Sequence, residues 1–484
     1  MNRTIVYLII LSSGFFFSCS KYYKVNKKNV LMIIVDDMKP EISSWGNETI
    51  ITPNIDSLVQ NGISFKQAYA QYANCSPSRM SFLTGVSPHR LGHTGRLNEK
   101  KQFVDHVTLP GHFKENGYFT ASFGKVYHDK NDDSKSWDYI YDVELNDNHQ
   151  IPWESYASEK NRNLKGYDRP ATESSALQMD SYNDYRISIE AIKQIEINKN
   201  RPFFMAVGFR KPHLPFAAPK KYWDMYKRDE IPDPKFSNAP KHGDTIVYQW
   251  SELASYSYYY ENYYSNNYRN SKVNLKKAKE LKHGYFACIS YIDDLVGGLI
   301  KKLKELKLDK NTIIVFMSDH GFHLGDQQIW GKHSSYELST HVPLIIIDPS
   351  QKFKGSNCFN FVELIDVYPT LADIAETKQP INIDGKSLYE FIERPNKVNQ
   401  EPAYSQYQTF QKNRSFSDYM AYTIYTKDFN YIEWQDLKNN RKVVQKELYN
   451  MSDSRIEKEN ISSEIEFSQI IKKLSIKIHE RFQL

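Results

Sequence analysis

Cys75 sits among turn-forming residues in ANCSPSRMSFLTG (73–85), and Arg79 follows one helical turn later. A free cysteine is usually a small buried hydrophobe, so its neighbours in chemistry decide whether it is used. Three carboxylates are the first such neighbours. Asp36-Asp37 closes the apolar run NVLMIIV (29–35), and Asp319 closes NTIIVFMS (311–318). Carboxylate oxygens are hard donors that suit a divalent cation such as Ca²⁺. His320, beside Asp319, is a softer fourth partner and leaves the metal open. Each Asp alone would read as a strand-end or helix-cap residue; three at two strand ends strengthen the metal reading.

Two further apolar runs end in the same abrupt way. YFTASF (118–123) gives way to Gly124-Lys125, and PFFMAVGF (202–209) to Arg210-Lys211-Pro212-His213. Short continuous apolar runs read as buried parallel strands. Helical patterns lie between them at TPNIDSLVQNG (52–62), LPGHFKENG (109–117) and YFACISYIDDLVGGLIKKLKEL (285–306). The alternation predicts an α/β fold with a large, mostly parallel sheet flanked by helices, spanning 24–400. Ligands in such folds bind beyond the carboxyl ends of the strands, where all four polar clusters fall. From 401 the texture changes. YMAYTIYTKDFNYIEW (419–434) and KVVQKELYNM (442–451) read as antiparallel strands, and SSEIEFSQIIKKLSIKIHERF (462–482) as a closing amphipathic helix. Residues 401–484 are therefore expected to form a smaller α+β subdomain. The stretch 243–270, which contains SYSYYYENYYSNNYR, is rich in Tyr, Asn and Ser and reads as a long surface excursion or a sugar-stacking platform.

Composition narrows the partners. Across 484 residues, 63 basic and 58 acidic side chains leave a formal charge of +5 with no continuous Lys/Arg stripe. That argues against nucleic acid and suits an anionic small molecule or polysaccharide. Arg3 followed by IVYLIILSSGFFF (5–17) reads as an export signal, too short to span a bilayer. Cys19 in FFSCS stands where a bacterial lipoprotein is acylated, although Phe16 replaces the usual Leu. The expectation is a signal over 1–19 and a protein outside the cytoplasm, in the periplasm or at the cell surface. It would meet a membrane only through a lipid anchor on Cys19. Of the remaining thiols, Cys75, Cys288 and Cys358, at least one must stay unpaired. Cys75 is the choice, because Cys288 in HGYFACISYIDDL reads as helix core.

Together these features resemble the type I sulfatases of the alkaline phosphatase superfamily. Cys75-Ser76-Pro77-Ser78-Arg79 fits their C-x-P-x-R core, continued by SFLTG (81–85), and GKVYH (124–128), SDHG (318–321) and ELYNM (447–451) follow. VDDMKP, AVGFRKPHLPF and FVELIDVYPTLADIA are similar to the iduronate-2-sulfatase branch, as is His rather than Asn after Asp319. The chain departs from that branch in 129–200 and in the Tyr-rich stretch, which leaves the exact sugar open. The resemblance implies that a maturation enzyme oxidises Cys75 to Cα-formylglycine. It also implies one Ca²⁺ held by Asp36, Asp37, the residue at 75, Asp319 and His320. The hydrated aldehyde carries two hydroxyls on one carbon: one attacks sulfur, and deprotonation of the other expels sulfate. By the same likeness Arg79 steadies the hydrate, and Lys125 and Lys332 neutralise sulfate. His128 acts as base on the formylglycine hydroxyl, and His213 protonates the departing sugar oxygen. The implied substrate is a sulfated, uronate-containing glycan such as ulvan or a glycosaminoglycan, with a 2-O-sulfated uronate as target. Two rivals stand beside it: a phosphonate or phosphate monoester hydrolase sharing the motif, and an inactive glycan-binding lipoprotein. His323, His333 and His341 read as packed polar residues.

Overall fold

The computed structural model describes residues 27–92, 107–128, 133–143, 156–164, 168–248, 251–257, 259, 273–410 and 416–484. The expected export signal over 1–19, with Cys19, lies outside the described residues, as do 249–250, 258 and 260–270 of the Tyr-rich stretch. Among the described residues no helix is long and apolar enough to cross a membrane.

Among the described residues the main sheet has nine strands: β1 (Asn29–Val35), β2 (Ile63–Tyr69), β3 (Phe119–Gly124), β4 (Tyr139–Tyr141), β5 (Phe203–Phe209), β6 (Thr312–Ser318), β7 (His341–Val342), β8 (Leu344–Ile347) and β9 (Ser356–Glu363). Their order is β7-β2-β8-β6-β1-β5-β3-β4, with β9 added beside β2. The run β6-β1-β5-β3-β4 is wholly parallel. Only β7 and β8 pair antiparallel with their neighbours. Every residue of β1, β5 and β6 is buried, as a parallel sheet covered on both faces requires. Leu31, Ile33 and Val35 face one core and Val30, Met32 and Ile34 the other.

Register is what matters for function. Val35 of β1 pairs with Phe209 and with Ser318, and Gly124 of β3 pairs with Gly208. The four strands predicted from their apolar runs therefore end level. The residues that follow them, Asp36, Lys125, Arg210 and Asp319, emerge along one edge.

Helices α1 (Cys75–Thr84), α2 (Asn183–Ile197) and α3 (Leu275–Glu305) cover the sheet. Met80, Phe82 and Leu83 of α1 join one core, and Leu281, Tyr285, Phe286 and Ile289 of α3 the other. The predicted helix 285–306 begins ten residues earlier than its apolar pattern suggested, at Leu275. The side chain of Asn274 caps it by accepting from Lys277 N at 2.9 Å, which carries the charged turn LKKAKELKH into the helix.

Beyond residue 402 lies a four-stranded antiparallel sheet of Ala403–Phe410, Phe416–Tyr425, Phe429–Asp436 and Lys442–Asn450. Its first strand was not anticipated, because AYSQYQTF carries no apolar run. The closing helix α4 (Ser468–Phe482) starts six residues later than expected. Its Ile471, Leu474, Ile478 and Phe482 pack on Met420, Tyr422 and Ile424. The reading of 243–270 as a surface excursion fails for its described part. Val247, Tyr248, Leu253, Ala254, Tyr256 and Tyr259 are buried. A tyrosine-rich composition looks polar, yet each ring is a large apolar body with one polar tip, and Tyr248 satisfies its tip by donating to Gln327 O at 2.9 Å.

Candidate active site

Helix α1 begins at Cys75 because Asn74 caps it, accepting from Ser76 N at 3.3 Å. All ten residues of the helix are buried, so its amino end delivers positive backbone polarity into a water-poor site. Cys75 is 3% exposed. Its Sγ lies 3.2 Å from His320 Nε2 and 3.5 Å from both Asp36 Oδ1 and Lys125 Nζ. Arg79, one turn into the helix and fully buried, reaches Asp319 Oδ2 with Nε at 2.9 Å and Asp36 Oδ1 with Nη2 at 3.4 Å. It also donates to the carbonyls of Lys125 and Val126. One guanidinium thus ties together the ends of β1, β3 and β6.

Asp37 has φ 64°, a left-handed conformation that a non-glycine residue adopts at a cost. Tyr285 OH donates to Asp37 O at 2.8 Å, and Met38 N donates to Ser318 Oγ at 2.9 Å, which holds the turn. Consecutive carboxylates at 36 and 37 therefore serve different partners. Asp36 pairs with Lys125 and Arg79. Asp37 meets Lys332 Nζ at 3.0 Å, His320 Nδ1 at 3.4 Å and His213 Nε2 at 3.9 Å.

The charges divide the two acids. Burial alone would raise both carboxyls, but Lys125, with His213, Arg79 and Lys332, holds Asp36 well below its ordinary value. At Asp37 burial prevails and the carboxyl is raised despite Lys332 and His213. Burial works against a charged His320, yet Asp319, Cys75 and Asp37 raise it to about 9. A cluster of this kind, buried acids against buried bases, is the electrostatic mark of a reaction centre.

Ligand atoms of Asp36, Cys75, Asp319 and His320 lie within 4.8 Å of one another, and Asp37 reaches the same histidine from β1. Three buried carboxylates beside one imidazole fit a hard divalent cation. Asp36, Asp37, Asp319 and His320 would hold it, together with the group at position 75.

The structure thus brings Asp36, Asp37, Cys75, Arg79, Lys125, His213, Asp319, His320 and Lys332 to one edge, as the strand ends predicted. His128 stands apart in being exposed. His323 and His333 are buried, and burial pushes each down to about 3, which keeps them neutral. His341 sits on β7, its Nε2 at 2.9 Å from Lys66 O and its ring stacked on Tyr69. One site residue escaped sequence reasoning. Glu252 places Oε1 at 3.1 Å from His213 Nε2 and Oε2 at 3.3 Å from Lys332 Nζ. Its only signal was an acid followed by Leu253 and Ala254 inside a polar-looking stretch.

Comparison with known proteins agrees with this geometry. A sulfatase family model matches residues 28–377, and one for the C-terminal part of N-sulphoglucosamine sulphohydrolase matches 325–483. The chain is 31% identical over 481 residues to iduronate 2-sulfatase of Homo sapiens, covering 84% of each chain. In three dimensions it is similar to a phosphonate monoester hydrolase from Silicibacter pomeroyi, with TM-score 0.75, 21% identity and coverage of 94% and 95% of the two chains. It is also similar to a structure solved in complex with its substrate D-glucosamine-2-N,6-O-disulfate, with TM-score 0.72, 22% identity and coverage of 94% and 98%. At such identities the structural likenesses speak for the alkaline phosphatase-like fold.

Proposed function

Because this chain belongs to the sulfatase family and is a sulfuric ester hydrolase, we propose that it desulfates a uronate-containing glycan, with a 2-O-sulfated uronate as target, through formylglycine made from Cys75. The observation that carries the sugar assignment is the 31% likeness, over most of both chains, to a protein named for iduronate 2-sulfate. The nucleophile assignment rests on the placement of Cys75 at the amino end of α1, with His320, Asp36 and Lys125 around it.

Conversion of Cys75 by a maturation enzyme would supply a hydrated aldehyde, a nucleophile that can also release sulfate by collapse of its own carbon–oxygen bond. The other roles belong to residues of the chain. Lys125 and Lys332 bring positive charge to the sulfate oxygens. Arg79 fixes the relation between the nucleophile and the acids behind it. His213, with Nδ1 at 2.6 Å from Leu214 O, keeps Nε2 turned to the interior and serves the departing sugar oxygen. His128 is proposed to take a proton on the formylglycine side. A Ca²⁺ on Asp36, Asp37, Asp319 and His320 would neutralise charge on the sulfate. Chelation should suppress activity and Ca²⁺ restore it; full activity in chelator with no metal found by elemental analysis would remove the ion.

The phosphonate hydrolase likeness is one of fold, so sulfate remains the favoured ester. Turnover of defined sulfated oligosaccharides, with an aryl phosphonate as comparator, tests the assignment. Release of the 2-O-sulfate from a terminal uronate is expected, and exclusive turnover of the phosphonate would overturn it. An inactive glycan binder is incompatible with any of these turnovers. We further propose export with acylation at Cys19. Labelling with a radioactive fatty acid should follow the wild type and be lost in Cys19→Ser.

A further inference from the structure

We propose that Glu252 is a positioning residue for the ester cleavage: its carboxylate bridges His213 and Lys332 and holds both toward the Cys75 edge. The proposal rests on the role given to His213 above.

The geometry sets Glu252 between two cationic groups, with Oε1 at 3.1 Å from His213 Nε2 and Oε2, which makes no hydrogen bond among the described residues, at ion-pair distance from Lys332 Nζ, 3.3 Å. The opposite nitrogen of His213 faces Leu214 O at 2.6 Å, so the imidazole is gripped at both ring nitrogens and cannot turn freely. Lys332 carries its charge on a flexible stem and is held between Glu252 and Asp37 Oδ1, the latter at 3.0 Å.

Removing Glu252 would leave Asp37 as the carboxylate facing both groups, since Asp37 Oδ2 stands 3.9 Å from His213 Nε2. His213 would then turn toward an acid proposed to serve the cation, and Lys332, already at 3.0 Å from Asp37 Oδ1, would lose its second carboxylate. Glu252 thus draws His213 Nε2 away from Asp37 and shares Lys332 with it. The segment bearing Glu252 is itself fixed. Leu253 and Ala254 are buried behind it. Ser251 Oγ donates to Trp330 O at 3.1 Å, which ties the turn to the residue two before Lys332.

The test compares matured full-length wild type, His213→Ala, Glu252→Ala and Glu252→Gln on two esters. 4-Nitrocatechol sulfate has a leaving group that departs without a proton, whereas a sugar 2-O-sulfate has one that does not. Glu252→Ala should lose at least tenfold more kcat on the sugar sulfate than on the aryl sulfate, with a smaller change in KM, as His213→Ala does. Glu252→Gln keeps an acceptor for His213 and should recover part of that selective loss. Equal losses on both esters, or a gain on either, overturn the role of Glu252; a gain would mean that its carboxylate competes with sulfate. If Glu252→Ala fails to fold, the near-isosteric Glu252→Gln decides, and a variant indistinguishable from wild type on both esters overturns the proposal. Equal losses on both esters for His213→Ala overturn instead the leaving-group role on which it rests.

Discussion

Two regions of this molecule bury several carboxylates each, and they treat them in opposite ways. At the carboxyl edge of the parallel sheet, Asp36, Asp37 and Asp319 face Lys125, Lys332, Arg79 and His320 around a thiol. Where the C-terminal sheet meets the larger unit, Glu337 and Glu457 are wholly buried but wrapped in donors. Glu337 accepts from Arg455, Tyr69 and Asn430. Glu457 accepts from Glu337 N, Asn430 and Gln327 at 2.8 to 3.0 Å. The second network is saturated with directional donors from four separate segments and specifies how the sheet docks. The first is balanced mainly by charge, and its side chains keep the capacity to take a sulfate and a cation. Buried charge with every acceptor filled holds a structure together; buried charge balanced by opposite charge is available for chemistry.

The contrast is tested most sharply at its reactive centre. Cys75→Ala should cut turnover by roughly four orders of magnitude or more, because the nucleophile is lost. Its thermal midpoint should stay within a few degrees of wild type, because one small side chain leaves a packed helix intact. A variant that unfolds would show that the thiol is structural. Next comes the saturated network. Arg455→Met leaves Glu337 and Glu457 buried with a missing cation. It should cost about 2 kcal/mol in denaturant unfolding, discounted for the partial exposure of Arg455. Its kcat/KM per folded molecule should hold; a large loss of kcat at unchanged stability would break the division between the regions.

The smallest effect concerns Glu447, buried on the last strand of the C-terminal sheet, where it accepts from Trp434 Nε1 at 2.9 Å and from Tyr449 OH. Burial pushes its carboxyl from 4.5 up to about 7, despite the hydrogen bonds from Tyr449 and Trp434. Between about pH 4.5 and 7 the folded chain therefore retains a proton that the unfolded chain has released. Its contribution to stability falls as pH rises through that window and is constant above it. Glu447→Gln should flatten this part of the stability profile relative to wild type. Parallel profiles for the two proteins would show that Glu447 titrates like an exposed acid.

The chain itself determined the sheet and most of the site, and the reason is local. Continuous apolar runs at 29–35, 202–209 and 311–318, each short and ending in polar residues, read as strands covered on both faces. Parallel strands of matching length end level, so Asp36, Lys125, His213 and Asp319 had to share an edge. The Cys75–Arg79 spacing placed both on one helix face next to it. Tertiary structure alone decided what depended on distant partners. Glu252 became a site residue because a tyrosine-rich segment folds inward beside Trp330 and His213. Ala403–Phe410 became a strand because it found Phe416–Tyr425 to pair with, and α3 began at Leu275 through a cap on Asn274. His128, three residues after the buried Lys125, emerged exposed. Periodicity records which face of an element is apolar; it does not record which acid from a remote loop will close the ion pairs at its end.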